Sequence, residues 1–445
     1  MNAKNVHLIG IGGIGTSAAA KWWKAQGATV TGSDVHASDI TKELEKKGIT
    51  LKYGQTGENV PAACDLVIYS RAVPESSPER QAVKERGLIE WSYPQFLGEL
   101  SRAHKTIAVS GTNGKSTTTA MVAKILIDAG LDPTVIVGTL VPYLSEKNLR
   151  VGKGEWLVVE ACEHMESMRQ ISPTIAVITN IEADHLDYYG DLDHVATAFK
   201  TWLLESKPQT VVLNKIDPKS IQVDGHGAHW FMISDRTAAL GQQTFYLISD
   251  EVPLNGLKIT LKVPGEFNAF NAAAAANAAY FAGVSTEKIV ESLASFAGTW
   301  RRFEQVGKWQ EADVFSDYAH HPTAIKGTLQ AFKEFFPERR IVLVFEPHQH
   351  ARTKELFDDF VTSFDVADVL IVSEIYEVAG RNEDKNISSK DLVEKVQSRK
   401  KVKQVIFAAD HASAEASLRE VVKAGDLVVI MGAGSIDELA RKLII

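Results

Sequence analysis

The chain has 445 residues, of which 45% are hydrophobic and 23% charged, so we expect a globular protein of two or three domains. Its formal net charge is −8, with acidic and basic residues interspersed, which argues against a nucleic-acid-binding protein. Apolar runs are too short to span a bilayer, no export signal opens the chain, and Cys64 and Cys162 indicate no disulfide framework, so we expect a cytoplasmic protein without membrane insertion.

The first segment begins as a β-α-β unit. An apolar strand at residues 6–9 is followed by glycines, a helix at about 16–26 and a strand at 29–31, and a later strand is predicted at Leu66–Tyr69. A strand that leads through a glycine turn into a helix is typical of a parallel sheet.

Strands and helices alternate through the rest of the chain. The second segment begins near His104 and the third near Trp300, with a region rich in β-forming residues at 230–263 before an alanine-rich helix at 269–283. Further strands are predicted at 106–109, 156–159, 175–179, 211–213, 314–316, 341–345, 369–372, 404–407 and 427–430.

We therefore predict an α/β fold with three successive domains, each built on a mostly parallel sheet. The domains are a Rossmann-like domain at residues 1–103, a central P-loop ATPase-like domain at 104–299 and a Rossmann-like C-terminal domain at 300–445.

The first glycine pattern is Gly10-Ile11-Gly12-Gly13-Ile14-Gly15, a G-x-G-x-x-G after a strand. Such a turn lets the backbone approach a diphosphate at a helix N-terminus. Asp34 follows about twenty residues later, where an acidic side chain commonly meets a ribose hydroxyl. Taken alone, the pattern indicates a dinucleotide site, so an NAD-dependent oxidoreductase is an alternative.

The second glycine pattern lies between a strand and a helix in the central segment. It reads Gly111-Thr112-Asn113-Gly114-Lys115-Ser116-Thr117. Backbone N–H groups there can hold phosphate oxygens, Lys115 can reach the terminal phosphates, and the Ser116 hydroxyl can bind Mg²⁺. The alternative is an ordinary strand-to-helix turn with a Ser/Thr-rich start, but the Gly-Lys-Ser sequence favours ATP binding.

These patterns and several others occur in the order found in the Mur ligases, a family that the chain resembles over nearly its whole length. The other matching stretches are residues 179–187 (TNIEADHLD), 214–217 (NKID), 264–271 (PGEFNAFN), 301–304 (RRFE), 317–322 (DYAHHP), 347–353 (PHQHART) and 431–436 (MGAGSI). The stretches at 317–322 and 347–353 most resemble the members that add L-alanine.

The resemblance implies that the first domain binds a UDP-sugar. Gly12, Ile14 and Gly15 would face the diphosphate, Ser33 and Asp34 would lie near the uridine, and Ser70 and Ala72 would form another wall. Gln55 is a departure, because the alanine-adding members commonly carry His there.

The resemblance also implies an ATP site extending beyond the phosphate turn. Its nucleotide-contacting positions correspond to Asn268, Asn271, Arg302 and Asp317. Arg302 could bind the γ-phosphate or form a salt bridge with Glu304. Phe267 departs from the family, whose alanine-adding members normally have His. Asn180, at a strand end, contacts substrate or phosphate, or is simply a turn residue.

Three residues are implied as Mg²⁺ ligands: Ser116, Glu160 and His185. Glu163 is an alternative to Glu160, and His185 is carried over by resemblance alone because Mg²⁺ prefers oxygen ligands. The structural alternatives are a salt-bridged Glu160 and a capping or core His185. Lys200 lies at the spacing at which later-acting family members carry a carbamylated lysine, although an exposed lysine paired with Glu205 is favoured.

The third segment concentrates histidines and an arginine on two strand-to-helix turns. They are His320, His321, His348, His350 and Arg352. Arg352 can pair with an amino-acid carboxylate, and a neighbouring histidine can take a proton from its ammonium. We favour His348 as this base, with His321 as alternative. A zinc site or a surface arginine is the alternative explanation.

The resulting hypothesis is an ATP-dependent amide ligase of peptidoglycan precursor synthesis. It would join L-alanine to the carboxylate of UDP-N-acetylmuramate through an acyl phosphate, with ATP and Mg²⁺, releasing ADP and phosphate. Residues 377–382 depart from the family pattern, so a ligase that attaches a recycled tripeptide to the same sugar nucleotide stays open. A nucleotide-sensing protein is a third class, against which the His/Arg cluster argues. The sequence does not indicate the oligomeric state.

Overall fold

A computed structural model describes residues 3–224, 227–239, 241–377 and 386–444, apart from the side chain of Asp187. Most of the stretch at 377–382, where the sequence departs from the family pattern, lies outside the described residues. Within them, no helix is both long and apolar enough to cross a membrane.

The first part of the chain forms a five-stranded parallel sheet in the order β3-β2-β1-β4-β5. Its strands are β1 (Asn5–Ile9), β2 (Thr29–Asp34), β3 (Thr50–Tyr53), β4 (Leu66–Tyr69) and β5 (Glu90–Ser92). Its helices are α1 (Ile14–Ala25), α2 (Asp39–Lys46), α3 (Pro78–Glu85) and α4 (Tyr93–Arg102). Serine begins three of these helices, because the side chains of Ser38, Ser77 and Ser92 accept a free N–H of the first turn.

The central part contributes a nine-stranded sheet in the order β14-β13-β12-β11-β10-β6-β9-β7-β8. Its strands are β6 (Lys105–Ser110), β7 (Thr134–Ile136), β8 (Leu149–Arg150), β9 (Trp156–Glu160), β10 (Ile175–Ile178), β11 (Thr210–Asn214), β12 (His229–Ala239), β13 (Gln242–Ser249) and β14 (Leu257–Leu261). Its helices are α5 (Lys115–Asp128), α6 (Leu186–Tyr189), α7 (Leu192–Ser206), α8 (Pro218–Gln222), α9 (Glu266–Phe281) and α10 (Thr286–Ala294).

The last part forms a six-stranded sheet in the order β15-β16-β20-β17-β18-β19. Its strands are β15 (Glu304–Trp309), β16 (Ala312–Asp317), β17 (Ile341–Phe345), β18 (Val369–Ser373), β19 (Gln404–Ala408) and β20 (Leu427–Met431). Its helices are α11 (Pro322–Phe335), α12 (His350–Glu355), α13 (Phe357–Ser363), α14 (Ser389–Arg399), α15 (His411–Val421) and α16 (Asp437–Leu443). Only β15 pairs antiparallel among the described strands of this sheet.

Two compact units emerge from this arrangement. The first contains Met1–Ser234, Tyr246–Ile259 and Phe270–Ala294, and the second contains Asp235–Phe245, Thr260–Ala269 and Ser295–Ile445. Within each unit, parallel strands such as β10 and β17 are buried along their whole length, since helices cover both faces of the sheet.

The predicted α/β class and the order of three domains are confirmed, whereas the boundaries at 103/104 and 299/300 stay predictions. The strands β3, β5, β7, β8 and β15 were not predicted. β3 lies at a sheet edge and is mostly exposed, so its sequence, TLKY, lacks the apolar run that identifies a buried strand. The two glycine turns follow the ends of β1 and β6, where parallel sheets place their ligands.

Candidate active site

The central phosphate turn connects β6 to α5. Gly111 has φ +131° and Gly114 has φ +85°, conformations that favour glycine. A β-carbon at position 111 would lie 2.1 Å from the Thr179 hydroxyl oxygen. Thr117 is buried in the first turn of α5, whereas Asn113 is exposed at the tip of the loop. The first N–H groups of α5 receive no side-chain cap from Gly114, so they can bind a phosphate group held by the loop.

Residues 179–182 hold this loop in shape from the neighbouring strand end. The Asn180 side chain accepts from the Asn113 N–H (2.9 Å) and donates to the Asn113 carbonyl (3.0 Å). The Thr112 N–H donates to the Asn180 carbonyl (2.9 Å), and the Glu182 N–H donates to the Thr112 hydroxyl (2.8 Å). Asn180 thus acts on the backbone of the phosphate turn, which is a positioning role.

Lys115 is the first residue of α5 and is paired with Glu163. Its Nζ lies 2.8 Å from a Glu163 carboxylate oxygen, and it also donates to the carbonyls of Gly111 (2.6 Å) and Thr112 (3.0 Å). Burial alone lowers the pKa of Lys115, but the Glu163 carboxylate more than offsets this, so the pKa is raised and the ammonium stays charged. A charged ammonium is thereby held at the phosphate turn.

Ser116 and Glu160 form a second pair beside the first. The Ser116 hydroxyl donates to one Glu160 oxygen (3.0 Å), and the Gly138 N–H donates to the other (2.5 Å). A hydroxyl and a carboxylate are oxygen ligands of the kind Mg²⁺ prefers, and both stand at the phosphate turn. The side chains therefore fit the ion that the sequence predicts.

His185, the third predicted metal ligand, lies in a separate cluster. Its Nε2 is 3.9 Å from a Glu163 oxygen and 3.9 Å from an Asp184 oxygen, and ligand atoms of these three residues all lie within 4.8 Å of one another. Its ring also packs on His164, with centroids 4.3 Å apart. The structure thus brings His185 next to Glu163, the alternative carboxylate, while Ser116 contacts Glu160.

Lys200 is exposed on α7, so a carbamate there would point into solvent. Its expected partner, Glu205, instead binds the Arg169 guanidinium through both carboxylate oxygens (2.6 and 2.9 Å). The geometry favours a surface lysine at this position.

The first glycine turn borders a cleft at the carboxyl ends of β1, β2 and β4. The residues that line the cleft are Ile9, Gly10, Gly13, Asp34, Val35, Gln55, Ser70, Ala72, Val73 and Glu79. Three predicted residues, Asp34, Ser70 and Ala72, are among them. The Asp34 carboxylate accepts from the Gly12 N–H (2.7 Å), and a β-carbon at Gly12 would lie 2.8 Å from that carboxylate.

Three other predicted UDP-sugar residues, Gly15, Ser33 and Ile14, are not among the residues that line the cleft. A β-carbon at Gly15 would lie 2.6 Å from the Tyr93 ring, so close packing requires this glycine. Ser33 is fully buried, and its carbonyl accepts from the N–H groups of Gly10 and Ile11 (2.9 and 3.0 Å). Ile14 contributes its carbonyl to a contact with Asn148.

Glu79 is a cleft residue that the sequence analysis missed. It is 1% exposed at the start of α3, and its carboxylate accepts from the Asn59 amide (3.1 Å). Burial raises its pKa, as does the nearby Asp34 carboxylate to a smaller extent. A Pro-Glu pair at a helix start is an ordinary surface pattern, so only the fold reveals a buried carboxyl here.

In the third part, Arg301 and Arg302 lie just before β15, and Asp317 ends the paired strand β16. The guanidinium carbons of Arg301 and Arg302 lie 4.9 and 4.8 Å from the centre of the Tyr318 ring. Buried Asp317 accepts from the N–H groups of Phe303 (2.7 Å) and Ala319 (2.9 Å), and burial raises its pKa.

Glu304, the predicted structural partner of Arg302, is bound instead by Arg441. Of the other two predicted nucleotide residues, Asn268 donates to the Pro264 carbonyl (2.7 Å). Asn271 lies against Gly114 of the phosphate turn.

Two histidines of the third part, His320 and His348, form a cluster with Tyr376. The His348 ring stacks on the Tyr376 ring (centroids 5.5 Å apart), and the His320 ring is 5.8 Å from that of His348. Burial, together with the nearby charges of Arg352 and Arg302, lowers the pKa of His320 to about 3.

His321 directly precedes α11, and His350 is buried at the start of α12 with Nδ1 2.9 Å from the Ile387 carbonyl. Arg352 is half-buried on the same short helix. Of the two predicted bases, His348 contacts both Tyr376 and His320 through its ring.

Three family models match consecutive stretches of the chain. The Mur ligase family catalytic-domain model matches residues 5–105, the Mur ligase middle-domain model matches 109–279, and the Mur ligase glutamate-ligase-domain model matches 301–434.

Curated relatives match almost the whole chain. The UDP-N-acetylmuramate–L-alanine ligase of Caldanaerobacter subterraneus subsp. tengcongensis is 38% identical over 454 aligned residues, covering 99% of this chain and 97% of the relative. The ligase of the same name from Clostridium novyi is 38% identical, covering 98% and 96%.

Solved structures agree with these relatives. The crystal structure of UDP-N-acetylmuramate-alanine ligase from Thermotoga maritima has a TM-score of 0.84 at 28% identity, covering 100% of this chain and 98% of its own. A murein peptide ligase from Psychrobacter arcticus has a TM-score of 0.69 at 25% identity, covering 99% and 98%. The chain belongs to the Mur ligase family.

Proposed function

We propose that this chain joins L-alanine to the carboxylate of UDP-N-acetylmuramate, consuming ATP and releasing ADP and phosphate. The relatives at 38% identity that carry this activity in their names support the choice of both substrates. The structural observation that carries the proposal is the phosphate turn, where the Lys115–Glu163 and Ser116–Glu160 pairs stand side by side.

An amide does not form from a carboxylate in water unless the carboxyl oxygen is activated. Transfer of the γ-phosphoryl group gives an acyl phosphate, in which phosphate is the leaving group when the amine attacks. The task of the protein is to position the groups and to neutralise charge on the transferring phosphoryl. Lys115 is suited to this task because it is charged and reaches the top of the loop from the first turn of α5.

Ser116 and Glu160 would hold Mg²⁺, with His185 as a further ligand by family resemblance. Bound there, the ion would supply positive charge to the phosphate oxygens. Asn180 and Glu182 keep the backbone of the loop in the shape that presents its N–H groups, through the contacts to Asn113 and Thr112.

In this proposal, the third part of the chain binds the amino acid and removes a proton from its ammonium group. Arg352 would pair with the alanine carboxylate, and His348 would accept a proton from the ammonium, because only the free amine is a nucleophile. His320 is a poor candidate for this base, since its pKa of about 3 leaves it with little affinity for a proton.

The deciding experiment is an ADP-release assay with UDP-N-acetylmuramate and a panel of L-amino acids and the cell-wall tripeptide. We expect release to require both the sugar acid and L-alanine. Release with the tripeptide but not with alanine would favour the activity named for the Psychrobacter arcticus structure. Oxidation of a substrate with NAD and indifference to ATP would reject the ligase altogether.

A further inference from the structure

A buried amide connects the helix of the first glycine turn to the central part of the chain. Asn148 is 1% exposed and precedes β8. Its Nδ2 donates to the Ile14 carbonyl (2.7 Å) and to the Ser17 hydroxyl (3.0 Å), both on α1. Both amide hydrogens are therefore used, and both are directed at the first turn of the helix that follows the G-x-G-x-x-G pattern.

The Asn148 oxygen is occupied by a buried lysine of the same helix. Lys21 donates to Asn148 Oδ1 (3.0 Å) and to the Glu146 carbonyl (3.1 Å), and it pairs with Glu43 (3.1 Å). The Lys21 side chain is 4% exposed. Burial lowers its pKa, against the raising effect of Glu43. A buried cation is held only where its partners compensate for lost hydration, so this cluster has a fixed geometry.

The same segment continues by hydrogen bonds into the phosphate turn. The Val137 N–H donates to the Asn148 carbonyl (3.1 Å). The next residue, Gly138, donates its N–H to Glu160 (2.5 Å), which accepts from Ser116 on its other oxygen (3.0 Å). Few contacts thus separate the start of α1 from the pair that we propose as metal ligands.

We propose that Asn148 and Lys21 are positioning residues for the ligation step. They fix α1, with the diphosphate turn at its start, relative to the Ser116–Glu160 pair. The inference rests on the proposed function, in which the carboxylate of the sugar nucleotide must meet the γ-phosphate of ATP. Misplacement of reacting atoms by about 1 Å can reduce a rate by about 100-fold without loss of binding. We therefore expect Asn148 and Lys21 to affect turnover, whereas the UDP-sugar and ATP are each bound by a separate glycine turn.

The test compares Asn148→Ala and Lys21→Met with wild-type protein. Lys21→Met keeps an apolar stem of similar length and leaves the Asn148 amide in place, so it tests the same cluster by an independent change. The control is Lys47→Ala, which removes the partly exposed ion pair between Lys47 and Glu146 at the same boundary. The measurements are kcat, KM for each substrate, calorimetric binding of ADP and of UDP-N-acetylmuramate, and the melting temperature.

We expect kcat to fall about 10- to 100-fold in both variants. The affinities for ADP and for UDP-N-acetylmuramate should stay within about threefold of wild type. All assays are run well below the melting temperature of each variant. Lys47→Ala should keep wild-type kcat. An unchanged kcat in Asn148→Ala and Lys21→Met would overturn the proposal, as would a loss that appears only as weaker UDP-sugar binding. Wild-type protein that does not ligate L-alanine would instead reject the proposed function, so the two failures are distinguishable.

Discussion

The side-chain oxygen of Asn271 occupies the space that a methyl group on Gly114 would need. A β-carbon at position 114 would lie 2.2 Å from Asn271 Oδ1, and the glycine itself has φ +85°. Two independent constraints therefore require glycine at the start of α5. One comes from the backbone conformation, and the other from a side chain 157 residues away in the sequence (271 − 114), a distance that no local pattern encodes.

Gly114→Ala should reduce ATP-dependent turnover at least tenfold. The left-handed conformation alone costs about 1–2 kcal/mol for alanine, and the clash must displace either Asn271 or the phosphate turn. Gly130→Ala is a matched control. Gly130 follows the C-terminal end of α5, has a similar φ of +75°, and has nothing within 4 Å of its β-carbon position. Steady-state kinetics of both variants separate the two costs. Equal turnover in the two would show that the contact with Asn271 is unimportant.

Lys115→Ala should reduce kcat by about 100- to 1000-fold, the effect of removing one preorganised charge from a transition state. UDP-sugar binding should be retained, because the cleft residues lie on a different sheet. The control is Lys124→Ala on the same helix, where the ammonium pairs with Asp128 (2.8 Å) and lies 5.8 Å from the centre of the Tyr143 ring. ADP release and calorimetric titration with the UDP-sugar measure the two properties. Near-normal turnover in Lys115→Ala would remove this lysine from the mechanism.

The sequence predicted the positions of the turns well, because each lies between an apolar strand and a helix. Thus Gly111 and Lys115 occur where the pattern indicated, and Asp34 and Ser70 do line a cleft. Pairings between distant side chains were not predictable. Lys21 and Asn148 are 127 residues apart, and nothing in their local sequences distinguishes them from surface residues.

Backbone geometry was equally hidden from the sequence. His185 has φ +53°, a conformation uncommon for a residue other than glycine. It directs the ring towards Glu163 and His164, and the spacing of the motif gave no indication of this arrangement.

Folding stability should decrease at acidic pH partly because of His7. This residue is 1% exposed in β1, and burial, with the charges of Lys52 and Arg86, lowers its pKa to about 4 from 6.5. As pH falls from 6.5 to 4, the unfolded chain takes up a proton that the folded chain does not. The contribution of His7 to the free energy of unfolding is therefore fully present above pH 6.5. It decreases by about 1.4 kcal/mol per pH unit as the pH falls from 6.5 to about 4.

Melting temperatures of wild type and His7→Gln between pH 4.5 and 7.5 test this expectation. The variant should show a shallower pH dependence, whereas His36→Gln, a change at an exposed histidine, should leave the wild-type slope unchanged. Parallel curves for wild type and His7→Gln would contradict the assignment.

The pH dependence of turnover should distinguish His348 from its neighbour His320. A histidine base must be neutral to accept the proton of the alanine ammonium, so kcat/KM for alanine should fall at acidic pH as the base becomes protonated. His348→Gln should remove this acid limb and lower the plateau by about 100- to 10,000-fold, the usual contribution of general base catalysis. His320→Gln should keep the limb at the same pH, because a group with a pKa of about 3 is already neutral throughout the range. The two rings lie 5.8 Å apart, so the pair controls for general disturbance of the cluster. If the acid limb survives in His348→Gln and disappears in His321→Gln, the base is the histidine at the start of α11 instead.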